Sequence, residues 1–140
     1  MAEFIFKRII SERAPHGNYV IESRATSSEE LGNSVYPPAK RILSSHGIEC
    51  CGKVAVQLSR LDYEKYDLII GMDSANIRNM HRLFGSDPDG KIKKLMDYTK
   101  RPGDVDDPWY SGNFELAYRD ILEGCEALFE IIKNTKEIIK

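Results

Sequence analysis

Apolar residues recur along this chain at two different spacings. Between Ala2 and Arg13 they fall at Ala2, Ile5, Phe6, Ile9 and Ile10, one helical stripe with Glu3, Lys7, Arg8 and Glu12 off it, so the chain opens within a helix. Tyr19 to Glu22 reads as a short strand, and Ser27, Ser28, Gly32 and Asn33 mark the loop after it. Pro37 and Pro38 suit the first turn of a second helix, where a missing N–H costs nothing, with Ala39, Ile42 and Leu43 inward and Gly47 as the stop.

Val54 to Leu58 reads as a further strand. Asp67-Leu68-Ile69-Ile70-Gly71-Met72 is a continuous apolar run of the kind buried on both faces of a parallel sheet, and is the candidate central strand. Ser74 is placed to cap a third helix whose Ile77, Met80, His81 and Phe84 share a packed face, ended by Gly85 and the turn Asp87-Pro88-Asp89-Gly90. Lys91 to Tyr98 reads as one more strand. A polar loop from Thr99 to Asn113 precedes a long last helix, in which Phe114, Tyr118, Ile121, Cys125, Leu128 and Ile132 alternate by four and three residues and form a core face.

Strands alternating with helices predict an α/β fold, an open parallel sheet with helices on both faces, in one domain over residues 1–140. Such a sheet ordinarily begins with a strand and a ligand-binding loop, followed by a helix whose free N–H groups face an anion. Here the helix comes first, and Met1-Ala2-Glu3 offers no capping side chain before it.

Composition narrows the partners. A net charge of −2 and a pI of about 5.9 lack the basic excess that nucleic-acid phosphates require, so no nucleic-acid partner is expected. Apolar stretches are far too short to span a bilayer and the N-terminus has no signal pattern, which predicts a cytoplasmic protein with no membrane partner. The cysteines, Cys50, Cys51 and Cys125, lack paired spacing and are expected to be reduced thiols; His16, His46 and His81 lack metal-ligand spacing, so neither metal nor cofactor is expected. Asp87-Pro88-Asp89-Gly90 has no glutamate at the spacing of a calcium loop and reads as a turn.

The richest chemistry lies in Asp104-Val105-Asp106-Asp107-Pro108-Trp109-Tyr110, an acidic and aromatic cluster on a loop directly before a helix. A carboxyl there, its pKa raised by apolar and acidic neighbours, can protonate a leaving oxygen. The same residues also fit a solvated acidic loop closed by a Pro-Trp packing contact.

Several segments resemble one family in order. Met1-Ala2-Glu3-Phe4-Ile5-Phe6 is similar to the segment that follows the Cys-x5-Arg-Ser-Pro phosphate loop of low-molecular-weight protein tyrosine phosphatases. Ile21-Glu22-Ser23 with Ala25-Thr26-Ser27, His46-Gly47-Ile48, Met72-Asp73-Ser74-Ala75-Asn76 after Asp67-Leu68-Ile69-Ile70, and Asp107-Pro108-Trp109-Tyr110 before Phe114-Glu115 resemble that family's later landmarks. The resemblance implies a four-stranded parallel sheet and hydrolysis of phosphotyrosine, on a protein or a small aryl phosphate, through a cysteinyl-phosphate intermediate. It implies that Asp107 is the general acid, that Trp109 and Tyr110 flank the substrate ring, and that the Ser23 hydroxyl supports the phosphate loop. Ser23 also reads simply as a serine at a strand end.

The departures are as informative. No cysteine is followed by arginine six positions on: Cys50 has Val56, Cys51 has Gln57 and Cys125 has Ile131. Val54-Ala55-Val56-Gln57 stands where the family often carries Ala-Arg-Gln. The expectation is a chain shortened at its N-terminus, without its first strand and nucleophile loop, hence inactive as it stands and open to destabilisation or to pairing of exposed sheet edges with a second copy. Other readings are a non-catalytic phosphate- or partner-binding module, and a relative of arsenate reductases, for which adjacent Cys50 and Cys51 are a poor fit.

Overall fold

In the computed structural model, which describes residues 1–26, 35–50, 52–106 and 108–133 and only the backbone of residues 109 and 110, the chain opens in helix α1, Ala2–Arg13. Ile5, Phe6, Ile9 and Ile10 are buried along its stripe, and Met1 precedes it without a capping side chain, as the sequence predicts. Helix α2, Pro37–Ser45, starts on its two prolines and buries Ala39 and Leu43. The turn after α2 needs Gly47 at φ 76°, a left-handed conformation that a Cβ disfavours. At that turn the His46 ring stacks on Tyr118 with centroids 3.9 Å apart, and its carbonyl accepts from Arg8 Nη1 at 2.7 Å. Tyr118 belongs to the last helix, α6 (Phe114–Ile132), so this one turn joins α1, α2 and α6.

Within the long apolar run, strand β1 (Ile69–Gly71) pairs in parallel with β2 (Ile92–Lys94), Ile69 opposite Ile92 and Gly71 opposite Lys94. Ile69 packs with Tyr63 of helix α3 (Leu61–Lys65) and Met80 of helix α4 (Ser74–Phe84). Leu68 and Ile70 pack instead against the larger core formed with α1, α2 and α6. Alternate side chains of the run thus serve opposite layers, which is why it is apolar throughout. The result is the expected α/β arrangement, helices on both faces of a parallel sheet that has two strands among the described residues. A Cβ at Gly71 would come within 2.9 Å of Ile77 Cδ1, so glycine there lets α4 lie close on the strand.

Several elements differ from the sequence reading. Tyr19 to Glu22 forms no ladder; pairing occurs at Ala25 alone, a parallel bridge to Gln57 in which Ala25 N–H donates to Val56 O and Leu58 N–H to Ala25 O, both at 2.8 Å. Val54 to Leu58 forms isolated bridges, at Val54, Ala55 and Gln57, rather than a continuous strand. Just before it, Ser23 N–H donates to a carboxylate rather than to a neighbouring strand. Lys91 to Tyr98 is strand only over β2, then a 3₁₀ turn at Leu95–Tyr98, because Leu95 and Met96 are consecutive yet both buried, which a strand would point apart.

Asp73, not Ser74, caps α4, and His81 is exposed rather than packed. Helix α3 was not foreseen, since its five residues are too short to show a period. The loop before α6 contains a short helix, α5 (Pro108–Ser111). Ser27, Ser28, Gly32 and Asn33, read as a loop, lie outside the described residues. Among the described residues no helix is long and apolar enough to cross a membrane.

Candidate active site

Ligands of open parallel sheets gather at the C-terminal ends of the strands. There β1 runs through Met72 into α4 by a reciprocal latch: Asp73 Oδ1 accepts from Asn76 N–H at 2.8 Å, and Asn76 Oδ1 accepts from Met72 N–H at 3.0 Å. The Met-Asp-x-x-Asn pattern is therefore a strand-to-helix connector. β2 ends at Lys94, whose Nζ donates to Asp104 Oδ1 at 2.9 Å and to Ser74 Oγ at 3.1 Å. The same Asp104 oxygen accepts from Ser74 N–H at 3.1 Å and Ser74 Oγ–H at 3.0 Å. Lys94 first, then Ser74, holds the Asp104 carboxyl below its usual range against the opposing effect of desolvation, and Asp104 in turn raises Lys94. Next along the chain, Val105 N–H donates to Met72 O at 2.9 Å while the Val105 side chain is buried. The acidic loop is thereby moored at the strand ends over two consecutive residues.

Of the residues singled out in the sequence, Asp107 lies outside the described residues. Trp109 and Tyr110 lie on α5 by their backbone, and their side chains are outside the description. Ser23 stands at the first turn of α1, its N–H and Oγ–H both donating to Glu3 Oε1, at 2.8 and 2.7 Å. Lys7 Nζ reaches Glu3 Oε2 at 2.7 Å and Lys53 Nζ reaches Glu3 Oε1 at 2.9 Å. Burial alone would raise the Glu3 pKa, but the hydrogen bonds from Lys7, Lys53 and Ser23 outweigh it and bring the group to about 2. Glu3 and Lys53 escaped the sequence reading: a glutamate in the first helical turn looks like a solvated dipole partner, and nothing local marks Lys53. Lys94 escaped it too, because its partner Asp104 is ten residues away.

Cys50 and Cys125 are buried free thiols, and burial pushes the Cys125 thiol up to about 12. A protonated thiol enclosed in a core cannot attack a phosphate ester. Cys51 lies outside the described residues. Among the described residues, no three His, Cys, Asp or Glu side chains converge as metal ligands would.

Comparison with known proteins gives this geometry its context. The low-molecular-weight protein-tyrosine-phosphatase YfkJ of Bacillus subtilis is 34% identical over 140 residues, covering 99% of this chain and 90% of that protein. The PtpA phosphatase of Staphylococcus aureus is 30% identical, covering 98% of this chain and 89% of its own. The crystal structure of YfkJ superposes with a TM-score of 0.92 at 34% identity, over 96% of this chain and 86% of that one. That of SP-PTP from Streptococcus pyogenes superposes at 0.80 with 33% identity, over 96% of this chain and 82% of that one. The family model for low molecular weight phosphotyrosine protein phosphatases matches residues 1–138. The chain therefore belongs to the low molecular weight phosphotyrosine protein phosphatases.

Proposed function

We propose that this chain carries the acid and aromatic half of a phosphotyrosine phosphatase site, and that it turns over substrate only when a Cys-x5-Arg loop is supplied. The observation that carries the reading is the nucleophile: no cysteine has arginine six positions on, and both described cysteines are buried. In the full reaction a thiolate attacks phosphorus, the P–O bond to the phenol breaks, and the electron pair leaves on the phenolate oxygen. Asp107 gives that oxygen its proton and then draws a proton from the water that attacks the cysteinyl phosphate, whose S–P bond breaks to release inorganic phosphate and the thiolate. Trp109 and Tyr110 flank the substrate ring and favour aryl esters. Ser23, fastened to Glu3, steadies the first turn of α1, where free backbone N–H groups favour an anion. The substrates on this reading are phosphotyrosine proteins or small aryl phosphates.

The test is hydrolysis of para-nitrophenyl phosphate at mildly acidic pH by the 140-residue chain, beside the same chain joined at its N-terminus to a strand and a Cys-x5-Arg-Ser-Pro loop. A silent short chain and an active joined one are expected. In the joined enzyme Asp107→Asn should lower kcat by about 10² to 10³, and more for phenyl phosphate, whose poorer leaving group needs the proton most. Turnover by the short chain, or an Asp107→Asn enzyme as fast as its parent, overturns the proposal.

A further inference from the structure

Three pieces of the strand-end surface meet at one carboxylate oxygen. Asp104 Oδ1 accepts from Ser74 N–H and Oγ–H at the first turn of α4, and from Lys94 Nζ at the end of β2. Lys94 is bound on both sides, giving a second hydrogen to Ser74 Oγ, and its side chain is 19% exposed against 42% for Asp104. The arrangement is a closed triangle of Asp104, Ser74 and Lys94, each bonded to the other two. It lies at the positive end of an 11-residue helix, where a carboxylate is favoured. Val105 N–H, on Met72 O, fixes the following residue. Asp107 is three positions after Asp104 in the sequence.

We infer that Asp104 and Lys94 are positioning residues for acid catalysis: their ion pair on Ser74 sets the start of the loop that carries Asp107. The inference rests on the reading of Asp107 as the acid. A general acid contributes only while held within hydrogen-bond reach of the leaving oxygen, so freedom at the loop's root diminishes the proton transfer even though no catalytic atom is altered. Lys94 also neutralises the Asp104 carboxylate, the first of three acidic residues within four positions of the sequence. A half-exposed ion pair adds little to global stability, so its effect falls on the placement of the loop.

Trp109 is the only tryptophan in the sequence and lies two positions after Asp107, which makes it an intrinsic reporter of the loop that needs no turnover. The variants Lys94→Met, Lys94→Arg and Asp104→Asn are made in the 140-residue chain, with thermal melts, acrylamide quenching of Trp109 and amide exchange at Val105 as readouts. Lys94→Met and Asp104→Asn should raise Trp109 quenching about twofold and speed Val105 exchange at least about tenfold, with Tm moving by no more than about 2 °C. Lys94→Arg, which keeps the charge, should restore both; Lys94→Met, which keeps the apolar stem, should not. If Asp104→Asn does not fold, Lys94→Met decides. Unchanged quenching and exchange in folded variants overturn the inference, and so does a fall in Tm that accounts for the faster exchange. The role of Asp107 is decided separately, by the kinetics of Asp107→Asn.

Discussion

Glu3 Oε1 accepts two hydrogen bonds from Ser23, from its N–H at 2.8 Å and its Oγ–H at 2.7 Å, so a carboxylate in the first turn of α1 takes the place of a strand partner. Lys7 and Lys53 complete its shell. The folded carboxyl titrates at about 2 rather than 4.5, so folding favours its ionised form. Its contribution is therefore fully present above the unfolded value and disappears as pH falls from about 4.5 towards about 2. The size is on the order of 2 to 3 kcal/mol. Urea midpoints at pH 7, 4 and 3 should fall steeply for the parent chain, whereas Glu3→Gln should start lower at pH 7 and fall less. Parallel pH profiles would remove Glu3 as the cause.

A second polar cluster holds the turn before β2. Asp87 accepts from Tyr63 Oη–H at 2.7 Å and from Lys91 and Ile92 N–H at 2.7 and 3.2 Å, while Tyr63 Oη accepts from Asp89 N–H at 3.0 Å. Tyr63→Phe keeps the ring against Phe84 but leaves the Asp89 amide without this acceptor. Tm should drop by about 3 to 6 °C. Adding calcium should not restore it, because the Asp87 carboxylate serves backbone amides; a calcium-dependent rise in Tm would contradict the turn reading.

These two clusters show what was legible in the chain and what was not. The stripe of α1, the double proline of α2 and the Asp67 to Met72 run are local periodicities, and each became the expected element because its side chains face one packed layer or two. Asp87-Pro88-Asp89-Gly90 was legible as a turn from its residue types. The buried polar contacts were not: Glu3 meets Ser23 across 20 residues and Lys94 meets Asp104 across ten, and no local pattern encodes such pairs. The same holds for Tyr19 to Glu22, read as a strand, which forms no ladder while the following Ser23 N–H donates to a carboxylate. The acidic and aromatic loop was legible as a candidate from its residue types, whereas the proposed roles of Asp107, Trp109 and Tyr110 came only through the order of family landmarks.

Close packing makes a sharper test of the α6 seam. A Cβ on Gly124 would lie 2.5 Å from Leu95 Cγ, and Leu95 is almost wholly enclosed. Alanine would gain up to about 1 kcal/mol of helix propensity, but overpacking costs roughly 1 to 3 kcal/mol, so Gly124→Ala should be net destabilising. With Leu95→Ala the obstructing atoms are gone and the same substitution should stabilise. Double-mutant chemical denaturation measures the sign change; two effects of the same sign would mean that the 3₁₀ turn shifts aside at little cost.

The enclosed thiol bears most directly on function. At pH 8 an ordinary cysteine is partly thiolate, but burial raises Cys125 from 9.0 to about 12, which cuts its thiolate fraction roughly a thousandfold. Iodoacetamide at that pH should therefore leave Cys125 unmodified in the folded chain and label it once urea unfolds the protein, as read by mass spectrometry of the α6 peptide. The rate should follow the unfolded fraction across the denaturation curve. Labelling of Cys125 in the native chain at the rate of a free thiol would mean that the core opens enough for a phosphate ester to reach sulfur. The absence of Cys-x5-Arg would then no longer account for a silent chain, and a Cys125→Ser variant would have to be assayed before Asp107 could be called an acid without a nucleophile.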